Sequence, residues 1–282
     1  MVINAVAKTS LELGRKSPEV QINFNDLPTN DFNTIFSMLH EFPENSTAEQ
    51  IKEVNHLPPC YFSGVPGSFF NRLFPSKSLN FVHSSYGLQW LSQLPELEEI
   101  NKGNIYLSST TPESVMPRGR MVLTLAGRTT EDARGEESYY LWRPLAMALQ
   151  EMVLEGLVDE EKLDTFNLPL YTASPTEIMN LVEIEGSFKI DHLEIFDVNW
   201  EAWKTKKPEY DVLKRKETED QSVGDAVVKS IRAGVESLVA NHFGEGIIDD
   251  VFMRYARNFT DRYPKMENEV LVSITVSLIK NE

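Results

Sequence analysis

The order in which strand-like and helix-like runs follow one another constrains this chain most. Val20–Phe24 alternates Val20, Ile22 and Phe24 and runs into Asn25-Asp26-Leu27-Pro28, the pattern of a short strand closed by a turn. Further strand-like runs lie at Cys60–Ser63, Leu79–His83, Asn104–Ser108 and Met121–Ala126. Helical spacing predicts helices over Val2–Gly14, Asp31–His40 and Phe69–Leu73. Another runs over Trp142–Leu154 and stops at Gly156, with Pro144 in its first turn, where a missing N–H costs least. Ser174 opens a helix to Val182, and Glu177 three residues on completes a capping box. A strand over Ser187–Val198, the charged stretch Lys204–Gln221, helices over Val223–Asn241 and Gly246–Tyr263, and a strand over Val270–Ile279 finish the chain. Strands and helices in that order predict an α/β sheet with inserted helices, without internal repeats.

Charge and cysteine usage remove whole classes of function. Lys+Arg 27 against Asp+Glu 43 leaves a net charge of −16, the wrong sign for a phosphate-backbone binder or for attachment to an anionic membrane. No run approaches the roughly 20 apolar residues of a membrane span. The single cysteine, Cys60, excludes an internal disulfide and a cysteine-based zinc site. His40, His56, His83, His192 and His242 form no ligand pair at helical spacing and read as packing or surface residues. The acid runs Asp159-Glu160-Glu161 and Asp249-Asp250 read as helix-start charges or solvated faces. Without a secretory leader, Asn45-Ser46-Thr47 and Asn258-Phe259-Thr260 read as chance sequons. The expectation is a soluble, cytoplasmic protein that binds neither nucleic acid nor membrane, and hydrolase and zinc-enzyme readings have no foothold.

Three places offer chemistry. Asp26 ends the first strand, where a carboxylate accepts hydrogen bonds from two ribose hydroxyls in nucleotide-type α/β sites; a plain turn-capping Asp is the equal alternative. Val65-Pro66-Gly67-Ser68-Phe69-Phe70 lies between a strand and a helix and offers an aromatic face and backbone N–H groups to a flat heterocycle, although a bland loop fits as well. Tyr86, Gln89 and Trp90 fall on one helical face after the His83 strand, where the Gln89 amide and Trp90 indole suit a planar acid or heterocycle; core packing is the competing reading.

Several segments together resemble the plant SABATH methyltransferases, which transfer a methyl group from S-adenosylmethionine to small acids or purine alkaloids. They are Asn25-Asp26-Leu27-Pro28-Thr29-Asn30-Asp31-Phe32-Asn33, Val65-Pro66-Gly67-Ser68-Phe69-Phe70, Asn80-Phe81-Val82-His83-Ser84-Ser85-Tyr86, Gln89-Trp90-Leu91-Ser92-Gln93, Asn101-Lys102-Gly103, Asp164-Thr165-Phe166-Asn167 and His242-Phe243-Gly244. They occur in family order and cover nearly the whole chain. The resemblance implies a Rossmann-like class I methyltransferase sheet in one domain over residues 1–282, with a helical substrate cap from about 138–182 and 204–263. It implies that Asp26, Leu27, Ser68 and Phe69 hold the methyl donor. Tyr86, Gln89, Trp90, Leu141, Trp142, Ile231, Gly234 and Leu271 would form the acceptor pocket, with Trp90 and Gln89 positioning the substrate. Asn101, Asp164, Phe166 and Asn167 match a magnesium site whose one charged member, Asp164, promises weak affinity for a hard cation. A homodimer is implied on the same ground.

Two departures from the family pattern stand out. The family's opening substrate-contacting segment and Gly-containing donor turn are expected before Met1. Ser108-Thr110-Thr111-Pro112 runs through Val115-Met116 to Arg118-Gly119-Arg120 without the acceptor-covering helix that the family places there. Gln89 stands where salicylate-type members carry Met, and it can both donate and accept. The readings carried forward are a carboxyl methyltransferase for a salicylate-, benzoate- or jasmonate-type acid, a purine N-methyltransferase, and a non-catalytic dimerising or ligand-binding protein that keeps the fold.

Overall fold

A computed structural model describes residues 2–39, 58–91, 115–133, 138, 141–198, 223–262 and 271–281. The chain divides into two compact units, Met1–Pro75 with Pro112–Ser114, and Ser76–Thr111 with Val115–Glu282. The expected strand at Asn104–Ser108 and the charged stretch Lys204–Gln221 lie outside the described residues.

In the first unit, helix α1 (Val2–Glu12) buries Ile3, Ala7 and Ser10, one face at helical spacing. Strand β1 (Val20–Asp26) pairs in parallel with β2 (Cys60–Pro66) in unbroken register from Val20↔Cys60 to Asp26↔Pro66. Helix α2 (Phe32–Leu39) starts where the Asp31 carboxylate accepts from the backbone of Asn33 and Thr34 and from the Thr34 hydroxyl. The helix expected over Phe69–Leu73 is absent: these residues form turns and bends. Ser68 Oγ takes the Phe70 N–H at 3.3 Å, a local alternative to helix that a five-residue run cannot outcompete.

The second unit is built on a four-stranded sheet in the order β3-β4-β6-β5, comprising β3 (Leu79–Ser85), β4 (Val115–Ala126), β5 (Phe188–Val198) and β6 (Leu271–Lys280). β3 and β4 are parallel, whereas β6 runs antiparallel to both its neighbours. β4 joins β3 irregularly: Leu79 pairs with Val115 but Phe81 with Arg120, and Arg118 adopts φ +61° inside that shift. The register Met121↔Leu278, Leu123↔Val276 and Leu125↔Ile274 lines these six on one face, where Ile178 and Val182 of helix α5 (Pro175–Glu185) pack. Ser174 caps α5 with the expected capping box, and Gly186 ends it at φ +74°.

Helix α3 (Arg143–Leu154), the short α4 (Glu160–Thr165), α6 (Val223–Phe243) and α7 (Ile248–Arg262) share a second core. Leu145, Leu149 and Met152 of α3 meet Val235 and Val239 of α6 and Val251, Tyr255 and Phe259 of α7. Ala126 at the end of β4, Val198 at the end of β5 and Leu271 at the start of β6 belong to the same cluster, so the helical layer caps that end of the sheet. No helix among the described residues is long and apolar enough to cross a membrane.

Candidate active site

Because β1 and β2 are parallel, the loops that leave them emerge at one edge, the carboxyl edge where open α/β sheets bind ligands. Asp26 closes β1. Its backbone carbonyl accepts from Gly67 N at 2.8 Å, and Asn25 Nδ2 donates to both Val65 O and Gly67 O at 2.8 Å, so the two loops are laced together. Asp26 Oδ1 accepts from Leu27 N (2.8 Å) and Asn30 Nδ2 (2.6 Å), and Oδ2 has no partner among the described residues. Leu27 is exposed, Ser68 and Phe69 are half-buried in the β2 loop, and the Phe69 and Phe70 rings lie 4.5 Å apart. Asp26, Leu27, Ser68 and Phe69 are thus brought to one pair of loops. A carboxylate oxygen left open beside apolar and aromatic surface fits the ribose and adenine of a nucleoside donor.

The proposed acceptor residues gather in the second unit. Residues 86–90 form a turn, correcting the expectation that Tyr86, Gln89 and Trp90 share a helical face. Tyr86 takes φ +53°, its N–H is captured by Thr124 O (2.7 Å), and its hydroxyl lies 2.7 Å from Ser273 Oγ. Trp90 forms an antiparallel bridge with Leu170, flanked by Leu91 N donating to Pro169 O (2.7 Å) and Tyr171 N donating to Gln89 O (2.9 Å). Tyr86, Trp90, Leu141, Trp142 and Ile231 all pack against the cluster that contains Leu271. Gly234, on the exposed side of α6, faces the Trp90 ring: a Cβ built there would lie 3.6 Å from Cζ2. Gln89 Oε1 is buried and makes no hydrogen bond among the described residues.

Of the four expected metal ligands, three fall among the described residues. Asn101 lies outside the described residues. Asp164 sits on α4, and the ring of Phe166, 5% exposed, packs against His242 and Phe243. Phe166 and Asn167 line a cavity of about 220 Å³ with Thr165, Leu238, Asn241 and His242. His242 Nε2 donates to Lys162 O (2.7 Å), which fixes α4 against α6. Among the described residues no group of three or more His, Cys, Asp or Glu could hold a metal ion. Asp164 is the one carboxylate of the expected set, so affinity for a hard divalent cation should be weak.

Ser273 and Arg128 were not singled out from the sequence. Ser273 belongs to a readable pattern, the alternation Val272-Ser273-Ile274-Thr275-Val276-Ser277, which places small hydroxyls on one sheet face. Arg128 carried no local signal.

With this geometry in place, the comparisons identify the class. A loganic acid methyltransferase structure with S-adenosylhomocysteine superposes with a TM-score of 0.74 at 24% identity, covering 98% of this chain and 78% of that one. The fold is therefore the mixed α/β fold of class I S-adenosylmethionine methyltransferases, with a helical region capping the sheet. The profile described as "SAM dependent carboxyl methyltransferase" matches residues 1–117 and 113–281. The chain is 43% identical over 302 residues to a benzoic acid/salicylic acid carboxyl methyltransferase of Petunia hybrida, covering 99% of this chain and 80% of the relative. It is 37% identical over 305 residues to a 3,7-dimethylxanthine N-methyltransferase of Camellia sinensis var. assamica, covering 96% and 77%. The chain belongs to the SAM dependent carboxyl methyltransferase family, the plant SABATH type, and is an S-adenosylmethionine-dependent methyltransferase. The two matched stretches meet at 113–117, beside the register shift between β3 and β4 and where the family's covering helix was expected and not found in the sequence.

Proposed function

We propose that the chain methylates the carboxylate of a small plant acid of the salicylate, benzoate or jasmonate type. The observation that carries this reading is the gathering of Tyr86, Trp90, Leu141, Trp142, Ile231, Gly234 and Leu271 around one apolar wall, with Trp90 as its indole donor in this proposal. Such a wall suits a flat acid whose carboxylate needs one directed donor. The Petunia relative, named for benzoic and salicylic acid, supports the acceptor class.

When bound, the donor supplies a methyl carbon on an already activated sulfonium. The chain supplies position. Asp26 receives ribose hydroxyls, and Leu27, Ser68 and Phe69 flank the adenine. Trp90 donates its indole N–H to the acceptor carboxylate, Gln89 contributes its amide, and Tyr86, held by Ser273, closes one side. An acid with a pKa near 4 is ionised at neutral pH, so no general base is needed and no covalent intermediate forms. The gain comes from holding the carboxylate oxygen in line with the methyl carbon and away from water. No step runs through a metal ion. One methyltransferase domain over residues 1–282, a homodimer and a cytoplasmic setting belong to the same proposal, and light scattering on the purified protein tests the dimer.

Titration calorimetry with S-adenosylhomocysteine tests donor binding, and absence of heat at millimolar ligand would overturn the reading. A methyl-transfer screen of carboxylic acids against xanthines then tests the acceptor. A second reading, purine N-methylation, is favoured by Gln89 Oε1: a buried acceptor without a partner among the described residues calls for a donor, which a purine N–H supplies and an ionised carboxylate does not. Turnover of xanthines alone would replace the first reading with the second.

A further inference from the structure

We propose that Arg128 is a positioning residue for the acceptor, acting through the segment 169–173 on Gln89 and Trp90; this rests on the acceptor reading above. Arg128 follows the end of β4, and its side chain is fully buried. Its neighbour Gly127 bridges Ala173 in parallel, and Arg128 N donates to Ala173 O (3.1 Å). That approach needs a residue without a side chain, because a Cβ on Gly127 would lie 2.4 Å from Ile274 Cδ1 and 3.0 Å from Ala173 O. The guanidinium reaches along the same segment. Nη1 donates to Thr172 O, Nη2 donates to Glu177 Oε1 (2.7 Å), and the fork lies over the Tyr171 ring at 5.3 Å. The Tyr171 hydroxyl donates to the same Glu177 oxygen (2.6 Å), while Glu177 Oε2 accepts from Ser174 N (2.9 Å). One buried planar cation therefore holds residues 171, 172 and 177 directly, and 174 through Glu177, which a flexible point charge such as lysine does not reproduce.

The other edge of that segment is what holds the acceptor turn. Among the described residues, the Trp90↔Leu170 bridge and the bonds Leu91 N to Pro169 O and Tyr171 N to Gln89 O join the main chain of residues 89–91 to residues 169–171. Arg128 meets the segment from β4, and Gln89 and Trp90 meet it from β3. Loosening Arg128 frees the turn that aims the Trp90 indole, while Arg128 itself bonds none of the other wall residues and none of Asp26, Leu27, Ser68 and Phe69.

The experiment compares wild type with Arg128→Lys and Glu177→Gln in the full chain. The first keeps the charge and loses the fork; the second keeps the shape and loses the charge, so one folded variant suffices. Hydrogen exchange should speed up by about tenfold in peptides that carry the Leu91 and Tyr171 amides, with the β4–β6 amides unchanged. Calorimetric affinity for S-adenosylhomocysteine should stay within about twofold, while KM for the best acceptor of the screen rises by about fivefold or more. Tyr171→Phe alone, which keeps the fork and the ring beneath it, should leave KM near the wild-type value. Uniform acceleration of exchange, equal loss of donor and acceptor affinity, or an unchanged acceptor KM would each overturn the proposal. Wild type inactive on every acid and xanthine would overturn the acceptor reading instead, and the exchange pattern alone then decides whether Arg128 holds the turn.

Discussion

Gly234 allows the acceptor wall to be probed with a change whose stability effect has the opposite sign to its expected catalytic effect. It lies inside α6 on the exposed side, with ordinary helical φ, so its flexibility is a cost: Gly is about 0.8–1 kcal/mol less favourable than Ala in a helix interior. Among the described residues a Cβ there meets one neighbour within 4 Å, Trp90 Cζ2 at 3.6 Å, which is normal van der Waals contact. No clash subtracts from the propensity gain. Gly234→Ala should therefore stabilise the protein by about 1 kcal/mol, raising Tm by roughly 2–4 °C in a scanning measurement. Gly234→Val forfeits most of that gain, because a β-branched side chain is stiff in a helix and its γ carbons press the Trp90 ring. Acceptor kcat/KM should fall in the order Gly, Ala, Val, by up to about tenfold at the first step, since the new methyl narrows the space beside Trp90. A destabilised Gly234→Ala protein, or undiminished acceptor turnover in Gly234→Val, would refute the placement of Trp90 against α6.

Tyr255 is fully buried and its hydroxyl donates to Leu141 O (3.2 Å); Tyr255→Phe should cost about 1 kcal/mol in urea denaturation by leaving that carbonyl unpaired. Burial opposes ionisation of Glu177, but the bonds from Tyr171, Arg128 and Ser174 outweigh it and hold its carboxyl below the ordinary value of 4.5. Its stabilisation is therefore complete above pH 4.5 and is lost as pH falls through the depressed value, so the stability gap between wild type and Glu177→Gln should shrink only in that acid range. Cys60 is half-buried, and desolvation pushes its thiol up, so thiol reagents should label it slowly at neutral pH, and denaturant should speed the reaction.

What the sequence made legible were elements whose cause is local. Val20, Ile22 and Phe24 alternate and form β1; Ser174, Pro175 and Glu177 carry the N-terminus of α5; Pro144 sits in the first turn of α3. The turn at 86–90 was not legible, because its conformation is decided by partners far along the chain. Thr124 takes the Tyr86 N–H, and Tyr171 donates to Gln89 O, which forces Tyr86 to φ +53° and ends any helix there. Helical spacing of three aromatic and amide residues could not report those bonds. The same holds for Arg128, whose role depends on Glu177 and Thr172 more than forty residues away, with separations of 49 and 44. Leu141, Trp142, Ile231, Gly234 and Leu271 were reachable only by family resemblance, since an apolar residue that lines a pocket and one that fills a core look alike in sequence.

The charge of −16, which excluded nucleic acid, also separates the two acceptor readings. Every proposed wall residue, from Tyr86 and Gln89 to Leu271, is uncharged. An anionic acceptor therefore meets a net repulsive field on approach and is retained by short-range donors such as the Trp90 indole. Salt screens that field, with a Debye length of about 30 Å at 0.01 M and about 8 Å at 0.15 M, but hardly weakens a desolvated hydrogen bond. KM for a carboxylate acceptor should fall as ionic strength rises over that interval, opposite to the trend of a site that steers anions with clustered cations. A neutral xanthine feels no such field, and its KM should stay flat. A carboxylate KM that rises with salt would mean that cations outside the proposed wall govern capture, and the uncharged wall would then explain orientation but not affinity.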